Sequence, residues 1–182
     1  RLEGDLDLLS NLGVDSYRFS VSWPRVLPTG EGAVDQKGID FYDRLIDGLL
    51  ERNIKPALTL YHWDLPSALQ AKGGWANKEI YEHFENYADV LSHKFADRVF
   101  SWATLNEPWV IAFLGNAAGI HAPGIKDPAT ALEVAYRLMV SSGKALEVLR
   151  SNKANNPGVV LNLTTIIADD DKIQDAADHI DN

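Results

Sequence analysis

The sequence predicts an α/β fold with about four parallel strands and intervening helices. Two observations predict it. Short apolar runs alternate with longer stretches whose apolar residues recur every three or four positions. Alternation of this kind means parallel βαβ units. The unit repeats at about 40 residues without internal sequence identity, which is a supersecondary repeat and not a solenoid array.

In chain order, Leu2, Leu6, Leu9 and Leu12 form a helical stripe that Gly13 stops. A first strand is predicted over Tyr17–Val21. A helix follows, marked by Ile39, Tyr42, Leu45, Ile46, Leu49 and Leu50. The second strand spans Ala57–Leu60 and leads to a helix carrying Ile80, Phe84, Tyr87, Ala88, Leu91 and Phe95. The third strand spans Val99–Leu105. Asp127-Pro128 reads as an N-cap with proline in the first turn, opening a helix with Leu132, Ala135, Leu138, Met139, Leu146 and Leu149 on its apolar face. The last strand is predicted over Val159–Leu163.

Bulk properties narrow the function classes. The chain has 182 residues, 46% of them apolar, and a net charge of −9. An acidic chain without a Lys/Arg cluster argues against nucleic acid or an anionic membrane as partner. The absence of cysteine rules out a disulfide framework and fits a reducing cytoplasm. No apolar run approaches the roughly 18 residues of a spanning helix. No signal peptide is visible, although the chain opens inside a helix-like segment. No His-Glu-x-x-His, cysteine pair or Gly-rich phosphate loop appears, so neither metal nor cofactor is expected. Asp169-Asp170-Asp171 lacks calcium-loop spacing and reads as a solvated loop.

Chemistry concentrates at Thr104-Leu105-Asn106-Glu107-Pro108-Trp109. An amide and a carboxyl stand together where an apolar strand ends. Pro108 has no N–H to continue the ladder. Successive strand residues point to opposite faces. For Asn106 and Glu107 to serve one site, the strand must bulge or end between them, and bulges are common beside active sites. On three residues alone, a turn with a solvated acid would be the better reading.

The wider sequence changes that balance. Gly13-Val14-Asp15-Ser16-Tyr17-Arg18-Phe19-Ser20, Ser22-Trp23-Pro24-Arg25 and Gly38-Ile39-Asp40-Phe41-Tyr42 come first. Thr59-Leu60-Tyr61-His62-Trp63-Asp64-Leu65-Pro66, Gly73-Gly74-Trp75, Thr104 to Trp109, His121-Ala122-Pro123-Gly124 and Leu161-Asn162-Leu163 follow. In this order and at these spacings, the chain resembles glycoside hydrolase family 1, the β-glucosidase family. The resemblance implies a (β/α)₈ TIM barrel and a retaining mechanism. A whole barrel needs about 250 residues. Residues 1–182 therefore look like a partial barrel domain holding the second to fifth strands. The first strand and the sixth to eighth strands, with the nucleophile, would lie outside this chain.

The resemblance also implies roles. Retaining glycosidases use two carboxyl groups about 5–5.5 Å apart, one as acid/base and one as nucleophile. Glu107 matches the acid/base and must start protonated. Arg18 is expected on the barrel-lining face, where it orients the nucleophile or closes an ion pair. His62 and Asn106 are expected to hydrogen-bond sugar hydroxyls, Asn106 the 2-hydroxyl. Asn162, midway along the last predicted strand, is expected to orient polar groups. It opens an Asn-Leu-Thr sequon, which a buried strand would hide. Trp63 and Trp109 are candidates for stacking on or shaping the pocket. Trp23, Trp75 and Trp102 are assigned to packing, His121 to anchoring its loop, and Asp64 to capping local N–H groups. The expected ligand is a β-glucoside or related small saccharide, and the expected partner is the complementary remainder of the barrel. The alternative is a truncated half-barrel that folds or assembles without hydrolysis.

Overall fold

The computed structural model describes residues 1–163. Four parallel strands, β1 (Ser16–Ser20), β2 (Lys55–Tyr61), β3 (Ser101–Asn106) and β4 (Pro157–Val160), lie side by side in sequence order. Six α-helices accompany them: α1 (Leu2–Leu12), α2 (Trp23–Val26), α3 (Gln36–Glu51), α4 (Ser67–Ala71), α5 (Ile80–Phe95) and α6 (Pro128–Ser151). A π-helical segment, Val110–Ala117, follows β3. This is the arrangement of consecutive (β/α) units in a TIM barrel.

Local chemistry sets the helix ends. Gly13 stops α1 in the left-handed region, at φ +69°. Asp35 accepts the N–H of Lys37 to open α3, and Asp127 accepts those of Ala129 and Thr130 to open α6, with Pro128 in its first turn. Gly38 lets α3 approach α2, since a Cβ there would meet the Arg25 carbonyl oxygen at 1.9 Å.

The core lies between the sheet and its helices. Leu58, Leu60, Val99 and Leu105 are buried there, together with Ile46, Leu49, Leu91, Phe95 and Leu149. Each such side chain contributes about 1.5–3 kcal/mol by leaving water. Aromatic rings fill the end nearest the strand C-termini. Trp23 stacks on Tyr87 at 4.8 Å, and Tyr61 and Trp75 meet edge-on at 5.0 Å. The Tyr87 hydroxyl stands 2.9 Å from the Leu60 carbonyl oxygen and 3.1 Å from that of Val21, tying α5 to the ends of β1 and β2.

Two expectations are corrected. The last strand ends at Val160, so Leu161, Asn162 and Leu163 are exposed beyond it. The reason is its partner. The final rung of the ladder is the Glu107 N–H to the Val160 carbonyl, 2.8 Å, after which the chain turns away at Pro108. The predicted face of α6 is also shifted. Ala131, Val134, Leu138, Ala145 and Leu149 are buried, with Ser141 and Ser142. These mostly small residues let the helix sit close to its neighbours. Leu132, Tyr136 and Met139 form an exposed apolar stripe instead. The Asp169–Asp171 run lies outside the described residues.

The open face of the sheet is lined by small and polar groups. That face carries Arg18, Ala57, Thr59, Ser101 and Ala103, while the large residues of the same strands point to the helices. Within the described residues, β1 and β4 each pair on one side only. A groove of ≈ 610 Å³ follows the free side of β1, from Leu2 and Leu6 of α1 past Tyr17 and Tyr42 to Arg18 and His62.

Open parallel edges invite pairing with another chain. The isolated 182-residue chain is therefore expected to associate or to bind hydrophobic dye. Size-exclusion chromatography with light scattering checks this. A cooperative, dye-silent monomer of 20.1 kDa would contradict it.

Candidate active site

The site forms where the carboxyl ends of the strands meet. Arg18 projects from β1, Thr59 from β2 and Asn106 from the last position of β3. The Arg18 guanidinium donates from Nε to Thr59 Oγ1 at 2.9 Å and from Nη2 to Asn106 Oδ1 at 2.5 Å. Both partners are neutral, and Arg18 is exposed on the open face. Guanidinium groups only donate, so the Asn106 oxygen must face Arg18 and its NH₂ group is left for another acceptor.

Glu107 follows immediately and is half-buried. The strand reverses phase just before it. Thr104 bonds Ser142 of α6 at 2.6 Å, on the helix side, whereas Asn106 bonds Arg18 on the open side. Residues two apart in a regular strand share a face, so the chain must slip between them. The ladder registers that slip between Ala103 and Asn106. The irregularity thus falls upstream of the Asn106–Glu107 junction. At that junction the strand ends, and Glu107 takes φ +47°. Together these features bring an adjacent amide and carboxyl toward one site.

Trp63 also holds a left-handed backbone, φ +81°, and its indole N–H donates to the Asn106 carbonyl at 2.9 Å. Its ring meets His62 at 5.0 Å and His121 at 5.4 Å, both edge-on. His121 is thereby held by an aromatic contact in its loop. Partial desolvation first, and the Arg18 charge second, keep the His62 imidazole below its ordinary pKa, while Glu107 and Asp64 pull the other way. A neutral ring offers one donor and one acceptor. Trp109 is exposed and packs on Phe113 at 5.5 Å. Asn162 lies past the end of β4, outside this group. Trp23, Trp75 and Trp102 are buried.

Thr59 is the site residue that sequence reasoning missed. The signal was a hydroxyl standing in the run Ala57-Leu58-Thr59-Leu60, on a strand buried on the helix side.

Asp64 lies behind His62 and Trp63. Its Oδ1 is buried without a hydrogen-bond partner. Burial raises the carboxyl pKa, tempered by the Ser22 hydroxyl and the N–H groups of Asp64 and His62. A carboxyl raised above its unfolded value favours folding when protonated. That contribution is present below the unfolded pKa and is lost as pH rises through the folded one. Asp64→Asn is therefore expected to raise Tm near pH 7 in the assembled barrel. The gain should vanish near about pH 3, where the wild-type carboxyl is neutral too. Thermal unfolding across that range checks it, and a variant uniformly less stable at both ends would contradict it.

Known proteins are similar to this chain in sequence and fold. Beta-glucosidase A of Thermotoga maritima is 51% identical over 163 residues, covering 89% of this chain and 36% of that protein. Beta-glucosidase A of Acetivibrio thermocellus is 48% identical over 176 residues, covering 96% of this chain and 39% of that protein. A solved beta-glucosidase from Thermotoga maritima in complex with castanospermine superposes with a TM-score of 0.93 at 47% identity, covering 97% of this chain and 41% of that one. The chain thus spans about two fifths of the length of these relatives. The family model described as glycosyl hydrolase family 1 matches residues 1–181, and the chain belongs to that family.

Proposed function

We propose that this chain supplies the general acid/base half of a retaining β-glycosidase site acting on terminal β-glucosides or related small saccharides. The observation that supports it most is the pairing of Asn106 and Glu107 at the mouth of β3, with the peptides on both sides of Glu107 hydrogen-bonded. In this reading the protonated Glu107 gives its proton to the glycosidic oxygen as the bond to the leaving group breaks. A carboxylate from the remainder of the barrel attacks the anomeric carbon. Glu107, now ionised, then takes a proton from the water that releases the sugar. The free NH₂ of Asn106 meets the 2-oxygen of the sugar, where hydrogen bonds strengthen in the transition state. His62 and Trp63 bind neighbouring hydroxyls and the ring, and Trp109 shapes the entrance. Asn162 joins polar groups of the following strands. The unused N–H groups of Arg18 hold the nucleophile carboxylate. The remainder of the barrel seats on the free sides of β1 and β4.

Glu107→Gln preserves shape and hydrogen bonding but cannot protonate a leaving group. In the complete barrel, poor leaving groups should lose roughly 100- to 10,000-fold in the glycosylation step, and activated aryl groups much less. Azide should rescue turnover and yield a glycosyl azide of retained configuration. Loss independent of the leaving group, without rescue, would remove Glu107 from the acid/base role.

The reading also separates the halves. The 182-residue chain alone, lacking the nucleophile, is expected to release no nitrophenol from a nitrophenyl β-glucoside. Turnover by that species, free of longer contaminants, would overturn the assignment of the nucleophile to the remainder. It would also count against the inactive half-barrel as the alternative reading.

A further inference from the structure

We propose that Thr59 is a positioning residue for glycoside hydrolysis: its hydroxyl fixes the plane of the Arg18 guanidinium and, through it, the amide of Asn106. This rests on the acid/base reading above. Thr59 is 1% exposed and sits in β2 opposite Ser20 and Ala103. Valine would fill the same space on a buried strand without a polar atom to satisfy. The hydroxyl has a use here, because Oγ1 accepts Arg18 Nε–H at 2.9 Å.

The geometry of that contact matters. Nε and Nη2 lie along one edge of the planar guanidinium. Thr59 takes the first and Asn106 the second. Those two fixed points, with the side chain's own attachment at Cδ as a third, determine the plane, and Nη1 is left without a hydrogen-bond partner among the described residues. Thr59 is itself stiff at χ1 because it is β-branched. Its backbone is also tied, since the Val21 N–H donates to the Thr59 carbonyl at 2.9 Å. Arg18, by contrast, is a long exposed side chain. With only Asn106 to hold it, the guanidinium would swing about one hydrogen bond. The Asn106 amide would then lose the contact that decides which of its two ends faces the sugar.

Thr59→Val removes the acceptor at nearly constant shape, Thr59→Ala removes it with some volume, and Thr59→Ser keeps it. The assay uses the complete barrel with nitrophenyl β-glucoside and its 2-deoxy analogue. Loss of one hydrogen bond to a charged group predicts a fall in kcat/KM of about 10- to 100-fold for the glucoside in Thr59→Val. The 2-deoxy substrate, which already lacks the Asn106 partner, should lose much less. The acidic limb of the kcat/KM profile should move to higher pH, because the loosened Arg18 no longer holds the nucleophile in its ionised form. Thr59→Ser should restore all three. If Thr59→Val does not fold, Thr59→Ala is read the same way. Equal losses on both substrates with an unmoved pH limb, or a serine variant as impaired as the valine one, would overturn the proposal.

If the wild-type barrel hydrolyses no β-glucoside, the proposed function fails. The clamp is then read separately by NMR. Arg18 Nε–H exchange with water should be slow in wild type and Thr59→Ser and fast in Thr59→Val. The same rate in all three would overturn it.

Discussion

The site depends on a glutamate held in a conformation that glutamate disfavours. Glu107 sits at φ +47°, and a non-glycine residue there costs on the order of 1–3 kcal/mol. Such a conformation persists only where its surroundings over-determine it. Three hydrogen bonds do so: the Glu107 N–H to the Val160 carbonyl at 2.8 Å, the Trp63 indole N–H to the Asn106 carbonyl at 2.9 Å, and the Val110 N–H to the Glu107 carbonyl at 2.9 Å. They come from β4, from the loop after β2 and from the start of the π-helical segment. At roughly 1 kcal/mol net apiece, together they match the strain. Without the turn, strict alternation would send Glu107 away from the side that Asn106 faces.

Those three bonds need their donors and acceptors held in turn, and the helix side of the sheet does that. Tyr87 pins the carbonyls of Val21 and Leu60 from α5. Its complete burial raises its pKa, which keeps the hydroxyl protonated and able to donate. Trp23 and Phe84 pack against it, and Tyr61 and Trp75 pack in turn on Trp23. The apolar mass therefore lies under the loops that carry chemistry, and the open face is left to small and polar groups. Loops positioned by a rigid scaffold are where catalytic residues are usually found.

Much of this was legible in the sequence, for identifiable reasons. Gly13, Asp35 and Asp127-Pro128 mark helix ends by local backbone chemistry. The alternation of apolar runs gives the parallel sheet, and Asn106-Glu107-Pro108 announces a strand that stops. What was not legible depends on partners distant in sequence. The end of β4 at Val160 is set by the turn at Glu107, 53 residues earlier, so no pattern within Val159–Leu163 could reveal it. Leu132 and Met139 look like core by composition, but the small residues of α6 are the ones its neighbours admit. The phase slip between Ala103 and Asn106 leaves no local signature, since Ala, Thr and Leu fit either face. Thr59 was hidden because one hydroxyl among apolar residues carries no meaning until Arg18 is found beside it.

The partners of Arg18 bear on how a site divided along the chain could be assembled. In the proposed reading, a guanidinium oriented by the nucleophile alone would stay loose until the remainder of the barrel arrived. Thr59 and Asn106 are neutral and lie within this chain, and they already fix two of the five N–H groups. A carboxylate approaching the open side therefore meets an oriented charge, so less side-chain entropy is lost when the pair forms. Neutral partners also leave the positive charge uncompensated, so its attraction for that carboxylate stays undiminished. The same charge helps keep His62 unprotonated beside it. One exposed arginine, held by a hydroxyl and an amide, thus places an oriented positive charge on the open face of the sheet.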